Sequence, residues 1–317
     1  MARRLIIIAV ILILSLVLYF TGLSFTGLSR PEPAQWASAS SSEDQAYQWF
    51  RKNTAARLRG VAVVVHGLNL KPERMQTVIA DLNSAGIDVL NVSLRGHGRN
   101  FTWNGSISLD EARLESFRNV SYRLWLDEVR GAYLKARQRA AEKKVPLFFV
   151  GYSLGGLLGC NLLLTDSTVS YDRLILFAPA LSMTAESYLL KPLMPFPNLV
   201  IDSLAPVSYR SNDGTPMAAY KAVFEAVEYF HNNADPRLNI PTAVFLDEKD
   251  EFISSSRLQE TVARRDLHRW RIHRVQKGPD GSERLSHHML IDEAGVGRDT
   301  WRQMTAVMKQ YVTMKDD

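Results

Sequence analysis

The chain opens on a short polar stub, Met1-Ala2-Arg3-Arg4. An apolar run follows, unbroken from Leu5 to Leu14 and interrupted by Ser15 before it reaches Phe20. Carried to Leu23, the run has the length of a bilayer-spanning helix, about 20 residues. It lacks the polar face that a helix on a soluble core would show. The pattern then changes. Residues 24–45 hold Pro31, Pro33 and a serine cluster from Ser38 to Ser42, the composition of a linker. Beyond it, short apolar runs at 61–65, 88–93, 146–150, 174–178 and 242–246 have strand length and are rich in β-branched or aromatic residues. Helical spacing occupies 74–85, 120–141, 153–164, 217–230 and 297–314. Strand alternating with helix predicts an α/β domain over residues 46–317, with a mostly parallel sheet covered by helices on both faces. Residues 180–240 break the alternation. Their apolar triplets are interrupted by Pro192, Pro195, Pro197 and Pro206, which predicts a short helix and irregular loops before the helical stretch 217–230.

A hydrophobic content of 46 % suits one globular domain plus one apolar segment. Arg3 and Arg4 precede that segment and only Arg30 soon follows it. This orients an uncleaved anchor with its N-terminus in the cytoplasm and the large domain on the other side of the membrane. The alternative is a secretory signal cleaved near Ala37-Ser38-Ala39, giving a secreted or periplasmic protein. The net charge of +5 is modest. Basic clusters at 51–59, 137–144 and 264–274 read as solvated faces, with contact to anionic headgroups as the alternative. No nucleic-acid-binding module is present. The single cysteine, Cys160, sits in an apolar helical stretch and reads as core. There is no Gly-rich phosphate loop with its lysine, no Cys-x-x-Cys and no His-Glu-x-x-His, so neither a cofactor nor a metal is expected.

Candidate chemistry centres on Gly151-Tyr152-Ser153-Leu154-Gly155, which joins the apolar run 146–150 to the helical stretch behind it. A serine at a strand-to-helix corner occupies a strained turn with its hydroxyl exposed. The flanking glycines admit close backbone, and the helix N-terminus offers free N–H groups to a developing oxyanion. An ordinary small-residue turn is the plain alternative. Three further loops follow strands. His66-Gly67-Leu68-Asn69 succeeds 61–65, Arg95-Gly96-His97-Gly98 succeeds 88–93, and Asp247-Glu248-Lys249-Asp250 succeeds 242–246. Near the C-terminus lies Ser286-His287-His288-Met289-Leu290-Ile291-Asp292. Of the remaining histidines, His231 reads as a helix-end residue, and His268 and His273 as solvated within an Arg-rich stretch.

In this order the motifs resemble the α/β-hydrolase superfamily, whose triad runs serine, acid, histidine along the chain. The likeness covers about residues 55–315. It is nearest to the serine hydrolases that include monoacylglycerol lipases, lysophospholipases and small carboxylesterases. The resemblance implies an α/β-hydrolase fold with a lid inserted at about 180–240, before the strand that carries the acid. It implies Ser153 as nucleophile and Asp250 as acid, with Asp247 and Glu251 as alternatives. His288 is the implied base, with His287 as its competitor. The backbone N–H groups of Leu68 and Leu154 would form the oxyanion hole. Asn69-Leu70-Lys71 stands where this loop normally has a second glycine, and Arg95-Gly96-His97-Gly98 is a structural turn. The implied activity is hydrolysis of carboxylic esters, lipid-like ones such as a monoacylglycerol or lysophospholipid, through an acyl-enzyme on Ser153 and without a cofactor. The same machinery would serve a thioesterase or an aminopeptidase, and the fold would also serve a non-catalytic binding module.

Overall fold

A computed structural model describes residues 43–53 and 57–314. The apolar run 5–23 lies outside the described residues, and so does nearly all of the linker. The choice between anchor and cleaved signal therefore lies outside them as well. Among the described residues, no helix is long and apolar enough to cross a membrane.

The core is a seven-stranded sheet whose strands, in sheet order, are β1 (Tyr47–Phe50), β3 (Ile87–Val92), β2 (Gly60–Val65), β4 (Leu147–Tyr152), β5 (Arg173–Phe177), β8 (Thr242–Asp247) and β9 (Trp270–Val275). β1 runs antiparallel to β3, and every other pairing is parallel. In register, Val63 pairs with Leu90 on one side and Phe149 on the other. Helices cover both faces, so the inner strands bury both of theirs, and β2, β4 and β5 contain no exposed position. That is why they read as continuous apolar runs rather than alternating ones. From β2 the chain steps outward to β3 and then returns to β4 on the opposite side. The loops after β2 and β4 thus meet at a reversal of strand order, where open α/β sheets form their binding crevice.

The helices Gln76–Ser84, Tyr122–Lys143, Leu154–Thr165 and Arg298–Thr313 fall where the periodicity places them, the first preceded by a 3-10 turn, Pro72–Met75. Two others, Leu109–Arg118 and Ser255–Arg264, are more polar in composition and bury only two residues each. The first is fixed instead by a capping box between Ser108 and Glu111. Edge strands are also poorly marked in the sequence. β1 is only partly buried and begins immediately after a short helix, Glu43–Ala46, that straddles the expected linker boundary. β9 begins inside the basic stretch 264–274 and ends one residue beyond it. It exposes Arg271 and Arg274 while burying Trp270 and Val275. Charge on an edge strand blocks pairing with other chains. This corrects the expectation for His273, which is half-buried and stacks on Phe245 at 5.4 Å; His268 is exposed as expected.

Between β5 and β8 the chain forms an insertion. It contains a 3-10 stretch, Glu186–Leu193, a two-stranded ribbon of β6 (Val200–Asp202) and β7 (Gly214–Pro216), and the helix Met217–Asn233. The prolines keep its first half irregular. Its helix is tied to the helix behind Ser153 through Asn161 Nδ2, which donates to Ala226 O at 2.9 Å. Leu189, Phe196, Leu199, Leu204 and Val207 of the insertion are exposed.

Candidate active site

β4 ends at Tyr152 and the next helix begins at Leu154, so the whole change of direction falls on Ser153, with φ 51° and ψ −114°. A non-glycine residue in this region stores strain and needs its surroundings to hold it. Ser153 N–H donates to Phe177 O at 2.9 Å, and Ser153 O accepts from Ala180 N at 3.1 Å and Leu157 N at 3.2 Å. The glycines allow the approach. A Cβ on Gly155 would lie 2.2 Å from Val65 O, and one on Gly151 would lie 2.5 Å from Gly156 N. The corner closes only without those atoms.

The second half of the site comes from the loops after β8 and β9. His288 Nε2 lies 2.9 Å from Ser153 Oγ, and its Nδ1 lies 2.8 Å from Asp250 Oδ2. The other oxygen of Asp250 accepts from Phe252 N at 2.8 Å and Ile253 N at 2.9 Å, which leaves Oδ2 aimed at the imidazole. Nδ1–H donates to the carboxylate, and Nε2 faces the hydroxyl as an acceptor. The rings of Tyr152 and Phe252 flank His288, each 5.2 Å from it. The neighbouring histidine has its own acid: His287 Nδ1 lies 2.9 Å from Asp247 Oδ2. Glu251 takes neither ring. Its carboxylate accepts from the backbone of His287 at 3.1 Å and of His288 at 3.2 Å, fixing the loop rather than an imidazole. Lys277 Nζ donates to Leu285 O at 2.7 Å, and Tyr209 of the insertion donates to Asp292 at 2.7 Å, at the two ends of the histidine segment. The sequence marks Glu251 only as an alternative acid, and neither Lys277 nor Tyr209 lies in a motif that would single it out.

His66 and His97 lie beneath the site and not in it. His66 is fully buried. Its Nε2 accepts from Leu94 N at 3.1 Å, so Nδ1 carries the proton and donates to Gly67 O at 2.7 Å. Burial lowers its pKa to about 4, which keeps the ring neutral. His97 is held well below its ordinary value by burial and then by the nearby His66, with the two rings 4.7 Å apart. His97 Nε2 accepts from Asn69 N at 2.9 Å. Gly96 and Gly98 both take positive φ, so the Arg95–Gly98 stretch is the structural turn expected of it. Asn69 has φ 54°. Asparagine tolerates the left-handed region, which accounts for a loop without its second glycine.

The loop after β2 sits against the nucleophile, since a Cβ on Gly67 would lie 3.2 Å from Ser153 Cβ. Neither Leu68 N–H nor Leu154 N–H has a hydrogen-bond partner among the described residues. Two unengaged donors therefore adjoin the serine, one from the loop and one from the helix N-terminus. Cys160 is buried in the helix behind, where burial pushes its thiol far up. No group of His, Cys, Asp and Glu among the described residues has metal-holding geometry.

Comparison with known proteins bears on the fold and the family. Among solved structures, a soluble variant of monoglyceride lipase from Saccharomyces cerevisiae, in complex with a substrate analogue, superposes with a TM-score of 0.67 at 12 % identity. The match spans 84 % of this chain and 90 % of that one. The metagenome-derived lipolytic enzymes LipS and LipT give 0.62 at 16 %, over 84 % and 96 %. The monoacylglycerol lipase of Paleococcus ferrophilus gives 0.61 at 17 %, over 84 % and 97 %. At such identities the likeness is one of fold. A search of curated protein sequences finds no significant match. Residues 56–233, more than half of the chain, match the hydrolase family described as serine aminopeptidase, S33. With its parallel sheet, strained serine corner and motif order, the chain belongs to that family of α/β-hydrolases.

Proposed function

We propose that this protein is a serine hydrolase that cleaves carboxylic esters with a medium or long acyl chain, such as a monoacylglycerol or a lysophospholipid. The observation that carries this reading is the row from Ser153 Oγ through His288 to Asp250, closed at 2.9 and 2.8 Å beside the amides of Leu68 and Leu154. His288 takes the hydroxyl proton as Ser153 attacks the ester carbonyl, and Asp250 stabilises the imidazolium and fixes its tautomer. The carbonyl oxygen becomes an oxyanion between the two amides. On collapse the C–O bond to the alcohol breaks, His288 protonates the departing oxygen, and the acyl group stays on Ser153. Water, deprotonated by the same histidine, then releases the acid and restores the serine. Labelling by a fluorophosphonate probe tests the reading. Wild type should label, and Ser153→Ala should lose both the label and ester turnover by at least ~10,000-fold while keeping its circular dichroism. Full turnover in a clean Ser153→Ala preparation would refute it.

The acyl-chain preference rests on the insertion. Its exposed Leu189, Phe196, Leu199, Leu204 and Val207 suit a lid that lines an acyl pocket and meets an apolar substrate phase. The named lipases that share the fold support the same class. Activity on nitrophenyl esters should rise from acetate toward octanoate and longer chains; activity confined to acetate would exclude a lipid substrate. The description of the matched family favours a second reading, an aminopeptidase. Aminoacyl amides assayed beside the esters separate the two. For the N-terminal run we propose an uncleaved anchor, with the hydrolase domain on the non-cytoplasmic side.

A further inference from the structure

We propose that Asn69 is a positioning residue for the oxyanion hole, and that through it the insertion forms part of that hole. This rests on the ester-hydrolase reading, in which Leu68 N–H is a donor. The Gly67–Leu68 peptide is aimed by its carbonyl. Gly67 O accepts from His66 Nδ1 at 2.7 Å and from Leu70 N at 3.2 Å, which turns Leu68 N–H the opposite way. The next residue anchors this arrangement, because every polar group of Asn69 is engaged. Its N–H donates to His97 Nε2 at 2.9 Å, and its carbonyl accepts from Ser211 N at 2.8 Å. Its carboxamide closes a two-way bond with the backbone of Asn212, Nδ2 donating to Asn212 O at 3.0 Å and Oδ1 accepting from Asn212 N at 2.9 Å. Lys71 N donates to Tyr209 O at 2.8 Å, and Ser211 Oγ donates to Leu70 O at 3.0 Å, so the insertion lies along the loop like an added strand. Asn212 Nδ2 also donates to Gly96 O at 2.9 Å, joining the Arg95–Gly98 turn after β3. Asn69 and Asn212 are both buried, so water does not compete for these bonds.

A simpler role for Asn69, tolerance of φ 54°, makes an opposite forecast, because glycine tolerates that conformation better. Asn69→Gly keeps the backbone permitted and deletes only the clamp. With a nitrophenyl ester as substrate, kcat should fall about 10- to 100-fold, short of the loss for deleting an oxyanion donor outright. KM should stay within about threefold, since the ground-state carbonyl depends little on the donor. The midpoint of the acid limb of the pH–rate profile should stay where it is in wild type. Affinity for an alkyl boronic acid, whose tetrahedral adduct on Ser153 uses the same donors, should fall in parallel with kcat. Asn69→Asp retains the acceptor and the left-handed φ but sets a carboxylate against Asn212 O, so it should lose kcat in the same direction. Wild-type kcat and boronate affinity in both variants, with Ser153→Ala inactive, would overturn this proposal alone. Absence of esterase turnover in wild type, or its survival in Ser153→Ala, would overturn the hydrolase reading and this proposal together.

Discussion

Asp247 and Asp250 stand three residues apart at the end of β8, and each receives a different histidine of the pair His287-His288. Only His288 also reaches Ser153. Asp250→Asn should therefore invert the tautomer of His288 and lower kcat about 10,000-fold, whereas Asp247→Asn should cost less than about tenfold. Equal losses in the two variants, measured on one ester, would mean that the dyads are not separate. Two ionisable groups outside the triad, the buried His66 and the largely buried Glu128, make stability depend on pH in opposite senses. His66, with its pKa held near 4 by burial, stays neutral in the fold, but in the unfolded chain it binds a proton below about pH 6.5. Its contribution is complete above pH 6.5 and is lost as pH falls toward 4. Glu128 acts in the opposite sense. Burial raises its carboxyl to about 7, against the pull of the Arg95 and Asn100 donors, so the fold holds its proton where the unfolded chain has released it. Stability from Glu128 thus grows on acidification from pH 7 toward 4.5 and partly masks the histidine loss. Glu128→Gln should steepen the fall in denaturant stability between pH 6.5 and 5 relative to wild type, by up to about 1.4 kcal/mol per pH unit. An unchanged slope would show that Glu128 titrates normally.

Among the elements, the helix Leu154–Thr165 bears the tightest constraint, because every residue from Leu154 to Leu164 is buried. It lies between the sheet and the insertion helix Met217–Asn233. Gly159 packs directly on β4: a Cβ there would lie 2.1 Å from Phe149 Cε1, on a ring that is fully buried. Gly159→Ala should destabilise the protein by roughly 1–3 kcal/mol through overpacking, although alanine is the better helix former by about 1 kcal/mol. Thermal unfolding measures this, and a melting temperature at or above that of wild type would mean that the helix shifts without strain. Elements of this buried kind were plain in the sequence, since strands and helices with no solvent face leave unmistakable apolar runs. β1 and β9, and the helices Leu109–Arg118 and Ser255–Arg264, were obscure for the converse reason. Each has a solvated side, and its identity comes from pairing, capping or packing rather than from composition.

For the molecule as a whole, the proposed anchor makes a direct forecast. The full chain should sediment with membranes, resist alkaline carbonate extraction, and yield its intact N-terminal peptide by mass spectrometry. A mature N-terminus near residue 40 would establish a cleaved signal instead. What the sequence determined by itself was local in character: the strand-to-helix serine corner, the apolar strands of the inner sheet, the order of serine, acid and histidine, and the irregularity of a proline-broken insertion. Backbone conformation and burial periodicity are written in neighbouring residues, so such features survive translation into one dimension. The pairing of each histidine with its acid, the use of Glu251 as a backbone clamp, the burial of His66 and His97 and the bond between Asn69 and Asn212 were decided only by the tertiary structure. Those contacts join residues up to 143 positions apart. A carboxylate or carboxamide looks the same in sequence whichever partner the fold brings within 3 Å.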